Sequence, residues 1–350
     1  MDEGISKMDK QYQDINKLVQ ESQKIVVMQA DNIDGDSLAS AMALEQILGE
    51  MGKDVYLYCS VDITEYLRHI DGWDRVNKDF PSKYDLAILV DTSQAGLLEN
   101  LTNEGNMSAL QSRPFIVIDH HTRTDTFQMD NIIELIDNSA SATSEIIYNI
   151  AKHCDWPLDS TSASYMAISI NSDTLGLTSE ALQERSDTLR VMADLVDLGA
   201  NLSELNHKRT LGLQIDNDVV AYKGNLLQRI VFSHEGRIAS IVIPHQEVKD
   251  ISTKYNPTVI LDEMRFVKDV KIMIGFKVYD DYQHARKNRM TARIRCTHGT
   301  LIARELAEHF GGGGHPYASG IKWEDDQLDF EAIQAEVLAK AAELLDAVDQ

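Results

Sequence analysis

The chain is poor in cysteine: Cys59, Cys154 and Cys296 stand far apart in 350 residues, odd in number and without a CxxC pair. That excludes a disulfide framework and a thiolate metal site, and it makes a reducing, cytoplasmic setting the expected one. No apolar run approaches the ~20 residues that a membrane span needs. The N-terminus, Met1 to Asp14, is acidic and polar rather than a basic start followed by an apolar stretch, so neither export nor membrane anchoring is expected. Basic residues are also scarce, with 33 Lys and Arg against 56 Asp and Glu, for a formal charge of -23. Binding long nucleic acid draws much of its strength from Lys and Arg on successive phosphates, which excludes that class of partner and leaves short phosphate-bearing ones. The same charge also serves plain solubility. Internal repeats and low-complexity tracts are absent from the sequence.

The chain is long enough for two domains, and an apolar content of 43% suffices for two cores. From Lys24 onward short apolar runs alternate with amphipathic stretches: KIVVMQA, SLASAMALEQILGEM, VYLYC, DLAILV and PFIVID. This is the strand and helix alternation of a parallel α/β sheet. Helices are expected at Ser141 to His153, Ser162 to Ile170 and Ser186 to Leu198. Leu202 to about Ala221 is polar, lacks strand signals and reads as a helical connector. Beyond it the pattern changes. LLQRIVFS and RIASIVIP read as strands around the turn His234-Glu235-Gly236, DVKIMIGFKVYD and RMTARIRC as another pair, LIARELAEHF as a helix ending at glycines, and Phe330 to Leu345 as a closing helix. The expected fold is therefore α/β over residues 1–200, with helices on both faces of a parallel sheet, a connector over 201–223, and a smaller α+β domain over 224–350.

In such a sheet ligands bind beyond the carboxyl ends of the strands. Three apolar runs finish in acid: the first is followed by Asp31, Asp34 and Asp36, the second by Asp91, and the third by Asp119 with His120 and His121. Each has a plain structural alternative. Asp34-Gly35-Asp36 suits a turn before a helix, with Asp36 or Ser37 as N-cap, and Asp91 suits a cap in Asp91-Thr92-Ser93. Jointly, at three strand ends, they point carboxylates at one edge. Carboxylates gathered without Lys or Arg repel each other and lose solvation, so a cation is expected among them. Oxygen and imidazole ligands suit Mn²⁺ first and Mg²⁺ second.

These residues resemble the DHH phosphoesterases that carry a DHH-associated C-terminal domain, particularly the oligoribonuclease and pAp-phosphatase branch. In order they are Asp34-Gly35-Asp36-Ser37, Asp91-Thr92-Ser93, Asp119-His120-His121, the small-residue helix start Ser139 to Glu145, Asn171-Ser172-Asp173-Thr174, and Gly311 to His315 with Ala318-Ser319-Gly320. The resemblance implies two Mn²⁺ ions: Asp34 on one, Asp36, His120 and Asp173 on the other, and Asp91 bridging both. It places Asp119 behind a histidine and His121 at the scissile phosphate or leaving oxygen. One position departs from the pattern. The branch usually has a histidine four residues before the first aspartate, and here Ala30 stands there, with Gln29 and Asp31 as the nearest substitutes.

Gly311 is explained as a helix C-cap. Gly312, Gly313 and Gly314 leave backbone N–H groups free to approach an anion, and His315 adds a donor, so they and Ser319 are expected to contact substrate. Arg293 and Arg295 share a strand face. Arg295 falls where the family often has arginine and is the candidate for a nonscissile phosphate, whereas Arg293 reads as a solvated charge.

The implied activity is metal-dependent hydrolysis of short oligoribonucleotides or small nucleotides such as pApA and pAp, with the second domain closing over substrate about a hinge near Leu202 to Ala221. Alternatives are cyclic-dinucleotide hydrolysis, polyphosphate or pyrophosphate hydrolysis, and a nucleotide-binding protein without turnover. Neither a membrane nor long nucleic acid is an expected partner, and a homodimer is left open.

Overall fold

Two five-residue runs form the centre of the first core: Leu86–Val90 and Phe115–Asp119 are buried at every position, as strands covered on both faces must be. The computed structural model describes residues 7–121, 127–179, 182, 185–244, 246–247, 256–279, 289–297, 299–324 and 328–348. Residues 1–6 of the acidic N-terminus and Asp280, the end of an expected strand, lie outside them. The chain divides into two compact units, Met1–Gln214 and Ile215–Gln350.

In the first unit β1 (Lys24–Met28), β2 (Asp54–Tyr58), β3 (Leu86–Val90), β4 (Phe115–Asp119) and β5 (Ile132–Ile136) form one sheet, in the order β2-β1-β3-β4-β5, with every neighbouring pair parallel. One face packs its alternate residues Ile25, Val27, Ile88, Val90, Ile116 and Ile118 under α1 (Lys7–Glu21), α2 (Gly35–Glu50), α5 (Thr143–His153), α6 (Ser160–Asp173) and α7 (Ser186–Asp197). The other face packs Val26, Met28, Leu89, Phe115 and Val117 against Leu101 of α3 (Glu99–Asn103) and Leu110 of α4 (Met107–Gln111). Leu38, Met42, Leu44, Ile47 and Leu48 of α2 are fully buried. Each contributes on the order of 2 kcal/mol, so the helix that carries two of the aspartates is held rigidly.

The strand and helix alternation matches expectation at β1 to β4, α2 and α5 to α7, while α3 and α4 are short helices that the sequence reading did not include. Helix α1 and edge strand β5 were not foreseen: α1 buries only Tyr12, Ile15 and Val19 of an otherwise polar segment, and β5 is mostly half-buried. The segment expected as one connector carries two helices. The first, α8 (Leu202–Gly212), packs on α6, with Gly212 so close to His69 that a Cβ would lie 2.8 Å from that side chain. The second, α9 (Asn217–Gln228), belongs to the other unit.

That unit holds a six-stranded mixed sheet in the order β10-β11-β9-β8-β7-β6, formed by β6 (Val231–Ser233), β7 (Ile238–Ile243), β8 (Ile272–Val278), β9 (Met290–Cys296), β10 (Gly313–His315) and β11 (Ala318–Trp323). Only β7 and β8 pair in parallel. Leu226 to Gln228 close α9 rather than opening β6, so the first expected strand of this unit shortens to three residues. The turn after it is left-handed throughout, with φ 51° at His234, 59° at Glu235 and 85° at Gly236. One face packs Ile272, Ile274, Phe276, Ala292, Ile294 and Ile321 under α11 (Ala303–His309) and α12 (Phe330–Val348). The opposite face is covered at β7 by Ile260 and Leu261 of the short α10 (Ile260–Glu263) and by Leu226. Gly311 (φ 75°) caps the turn after α11, while Gly313 and Gly314 form β10 rather than a free loop. Among the described residues no helix is long and apolar enough to cross a membrane.

Candidate metal centre

Strands β1, β3 and β4 are adjacent and parallel, so the segments leaving their carboxyl ends meet at one rim. Asp34 is the N-cap of α2, accepting from the Ser37 N–H at 3.0 Å. The cap therefore falls on Asp34, not on Asp36 or Ser37 as the sequence suggested. With that turn fixed, Asp36 enters the first turn of α2 and is fully buried. Gly35 permits the close approach of α6: a Cβ there would lie 2.3 Å from Ser172 Oγ.

Asp91, one residue past β3, has φ 64°, a left-handed conformation unfavourable for a residue with a Cβ. Its N–H donates to the Ile118 carbonyl at 2.9 Å, which holds the strained residue against β4. Asp119 closes β4 and is buried. Its Oδ1 lies 2.8 Å from His121 Nδ1 and accepts the His121 N–H at 3.1 Å. Asp119 is thus hydrogen-bonded to His121 through both its ring and its backbone N–H. Asp173, at the last position of α6, completes the group.

His120 stands at its centre. Its Nε2 lies 3.1 Å from Asp173 Oδ2, 3.5 Å from Asp36 Oδ2 and 3.6 Å from Asp91 Oδ1. His121 Nδ1 lies 3.7 Å from Asp91 Oδ1. Two ligand groups result among the described residues, Asp36 with His120 and Asp173, and Asp91 with His120 and His121. Asp34 is in neither.

The electrostatics show what the cluster lacks. Burial pushes the Asp91 carboxyl well above its usual range, and the charges of Asp36, Asp34 and Asp173 push it further. Burial and Asp36 raise Asp173 to about 6. Burial opposes charge on His120, yet Asp173 and Asp36 raise it to about 9. Burial would also raise Asp119, but the His121 hydrogen bonds hold it below its usual value. In the metal-free chain a proton on His120 offsets the carboxylates, a task that a divalent cation performs better. The donor set fits such an ion on an independent ground: His120 Nε2 is buried and makes no hydrogen bond of acceptable geometry, although three carboxylates surround it.

Several supporting residues were missed from sequence. Thr143, the first residue of α5, donates its backbone N–H to Asp36 Oδ2 at 2.8 Å and its hydroxyl to Asp91 Oδ1 at 2.9 Å. A helix start has unsatisfied N–H groups and a positive dipole end, so Asp36 is stabilised by what it caps. Ser40 and Ser169 hydroxyls donate to Asp36 Oδ1. The Asn138 amide donates to the His120 and His121 carbonyls at 3.0 and 2.6 Å, and Arg185 grips the Ala140 and Asn138 carbonyls at 2.7 and 2.9 Å. The run Ser139 to Glu145 was visible as a helix start, but nothing local tells which acid it serves.

Around the departure at Ala30, the structure leaves little to replace a donor. Ala30 is buried, and the Asp31 carboxylate accepts from Ser60 Oγ and from the Asn100 N–H at 2.9 Å. The Gln29 amide is buried without a hydrogen-bond partner.

In the second unit a cavity of about 560 Å³ opens on the face of β8, β9 and β11. Gly312 and Gly313 line it, but Gly314, His315, Ser319 and Arg295 do not. His315 stacks on Tyr317, the Gly314 carbonyl accepts from Arg304 Nε at 2.6 Å, and Ser319 Oγ donates to the His315 carbonyl at 2.7 Å. Arg295 donates to the Ile294 carbonyl at 3.0 Å and lies 4.0 Å from Asp262, and burial with the charge of Arg293 lowers it to about 10. Arg293, read from sequence as a solvated charge, is the arginine in the cavity.

Residues 24–177 match the DHH family, N-terminal domain, so this segment carries a DHH-family domain. It is similar to the bifunctional oligoribonuclease and PAP phosphatase NrnA of Bacillus subtilis, at 24% identity over 89% of this chain and 93% of that one. An uncharacterized protein of Mycoplasma genitalium is 25% identical over 91% of this chain and 92% of its own. An exopolyphosphatase-related protein from Bacteroides fragilis superposes with a TM-score of 0.82 at 17% identity, covering 99% of this chain and 100% of that one, a likeness of fold.

Proposed function

We propose that the chain is a divalent-metal-dependent phosphoesterase that hydrolyses short oligoribonucleotides or small nucleotides to mononucleotides. The observation that carries this is the buried His120 Nε2 with three carboxylates within 3.6 Å of it. The resemblance to the oligoribonuclease and PAP phosphatase of B. subtilis supports the substrate class. In this reading Asp36, His120 and Asp173 hold one ion, Asp34 contributes to another, and Asp91 serves both, with Mn²⁺ the preferred metal. A divalent ion at such a site supplies an acidified water and neutralises charge on the phosphoryl oxygens. Asp119 fixes the ring of His121 through Nδ1, and His121 is assigned to the scissile phosphate or its leaving oxygen. Thr143 and Asn138 hold Asp36, Asp91 and the paired histidines in register. The second unit serves as the DHH-associated substrate-binding domain, with Gly312, Gly313, Gly314, His315, Ser319 and Arg295 on its binding side.

A second reading, a nucleotide binder without turnover, is favoured by one observation: Ala30 offers no donor and Asp31 is committed to Ser60 and Asn100. A manganese titration against a dinucleotide, a short oligoribonucleotide, pAp, a cyclic dinucleotide and polyphosphate separates the two. Metal-dependent release of mononucleotide from the first three is the expected result. Nucleotide binding without product from any member of the panel establishes the binder instead.

A further inference from the structure

The cavity on the second sheet is built from side chains that the glycine motif does not include. On the face opposite the core, Arg293 of β9 is flanked by Gly275 of β8 and Gly320 of β11, and Thr291 by Lys277 and Lys322. Strands lie ~4.8 Å apart and rise ~3.3 Å per residue, so the three cationic side chains start within about 10 Å of one another. All three line the cavity.

Packing keeps the surroundings of Arg293 hollow. A Cβ at Gly275 would meet Leu261 Cδ1 at 3.1 Å, and a Cβ at Gly312 would meet the Gly320 carbonyl at 2.2 Å. A side chain is thus excluded at Gly312 on the cavity edge, while Gly275 and Gly320 contribute none beside Arg293.

Charge makes the case. Acidic residues are 56 of 350, so a wall of 14 residues would hold about two by composition alone, yet the described lining has none. Among the described residues neither Arg293 nor Lys322 forms an ion pair; Arg293 makes a single long hydrogen bond, to Thr258 Oγ1 at 3.4 Å. Arg293 and Lys322, without acids among the described residues in a chain of charge -23, make the hollow locally positive, and such a field attracts an anion. Three cations spread over this span can reach more oxygens of two linked phosphates than of one, with the guanidinium gripping in two-pronged fashion.

We propose that Arg293, Lys277 and Lys322 form a binding site for a diphosphate or bisphosphate group, whether inorganic or borne by a nucleotide. The site stands independently of hydrolysis in the first unit; that its ligand is a substrate rests on the function proposed above. Isothermal titration of the full chain in EDTA, with phosphate, pyrophosphate and ADP, tests it. Pyrophosphate is expected to bind at least tenfold more tightly than phosphate, more weakly as salt rises, and at least tenfold more weakly to the double variant R293Q/K322Q. ADP that matches or exceeds pyrophosphate points to a nucleotide as the source, and weaker ADP to an inorganic anion; both support the site. An unchanged affinity in R293Q/K322Q, or equal binding of phosphate and pyrophosphate, overturns it. Circular dichroism and melting of R293K and R293Q check the fold, with R293K expected to recover part of the affinity. If the wild type turns over no phosphoester, the proposed function fails while the titration still decides this site. If it does, R293Q should raise KM tenfold or more with kcat within twofold.

Discussion

The first unit gathers like charges, and the second places Arg293 and Lys322 where the described residues offer no acid. At the strand ends of the first, Asp36, Asp91 and Asp173 come together around His120 and Asp119 bonds His121, cross-braced by Thr143, Ser169 and Asn138. On the sheet face of the second, Arg293 and Lys322 line an open hollow without acids among the described residues. The sign of each names the ligand it suits: a cation in one, an anion in the other. The rigidity differs too. Asp36, Asp91 and Asp119 of the first are held by hydrogen bonds, whereas the cations of the second sit on long side chains.

Changes that break the first half of this contrast should have the largest effects. Asp91→Asn removes a carboxylate and its repulsion at once, so turnover should fall by more than about 10³-fold, a several-kcal/mol loss of transition-state stabilisation. The metal-free melting temperature should rise. Steady-state kinetics with melts in EDTA checks both, and retained activity would remove Asp91 from the mechanism.

Asn138→Ala releases the carbonyls of His120 and His121 without touching a ligand atom. Losses of this kind cost ~10- to 100-fold in metal affinity or activity, and manganese titration monitored by calorimetry should show the weakened binding. An unaltered affinity would make Asn138 a loop brace only.

Acidity sharpens the contrast further. Folded carboxyls raised above their unfolded values, Asp91 and Asp173, contribute stability that is present at low pH and lost as pH rises through the folded pKa, about 6 for Asp173. His120, raised to about 9, contributes stability that is lost between its ordinary value and about 9. Both losses run the same way. In EDTA this cluster should therefore favour a falling melting temperature from pH 5 to 9, and the increment from saturating Mn²⁺ should grow over that window. An increment independent of pH would mean that the cluster is not where metal binds.

The smallest effect separates two glycines of the second unit. Gly312→Ala places a Cβ 2.2 Å from the Gly320 carbonyl and should cost ~2 kcal/mol. Gly313→Ala meets nothing within 4 Å and should be tolerated. Chemical denaturation of the two variants side by side measures the difference.

How far the sequence reached depended on the range of the forces involved. The apolar runs at Leu86–Val90 and Phe115–Asp119 declare central strands by themselves, because burial on both faces demands unbroken hydrophobicity. Helix α1 did not declare itself, since three buried residues suffice to dock it, and neither did β5, an edge strand that needs only half a hydrophobic pattern. Arg293 and Arg295 share a strand face and look alike as sequence; the cavity lining includes the first and omits the second.

By itself the sequence determined that Asp34, Asp36, Asp91, Asp119, His120 and His121 follow strands of one parallel sheet, because strand period and run length are local properties of the chain. Only the tertiary structure decided that His120 Nε2 faces three carboxylates at once, that Thr143 answers Asp36 and Asp91 across 107 and 52 residues, and that Arg293 is the arginine in the hollow. Those outcomes depend on which elements pack side by side, and burial and electrostatics act on distance in space, which no spacing along the chain records.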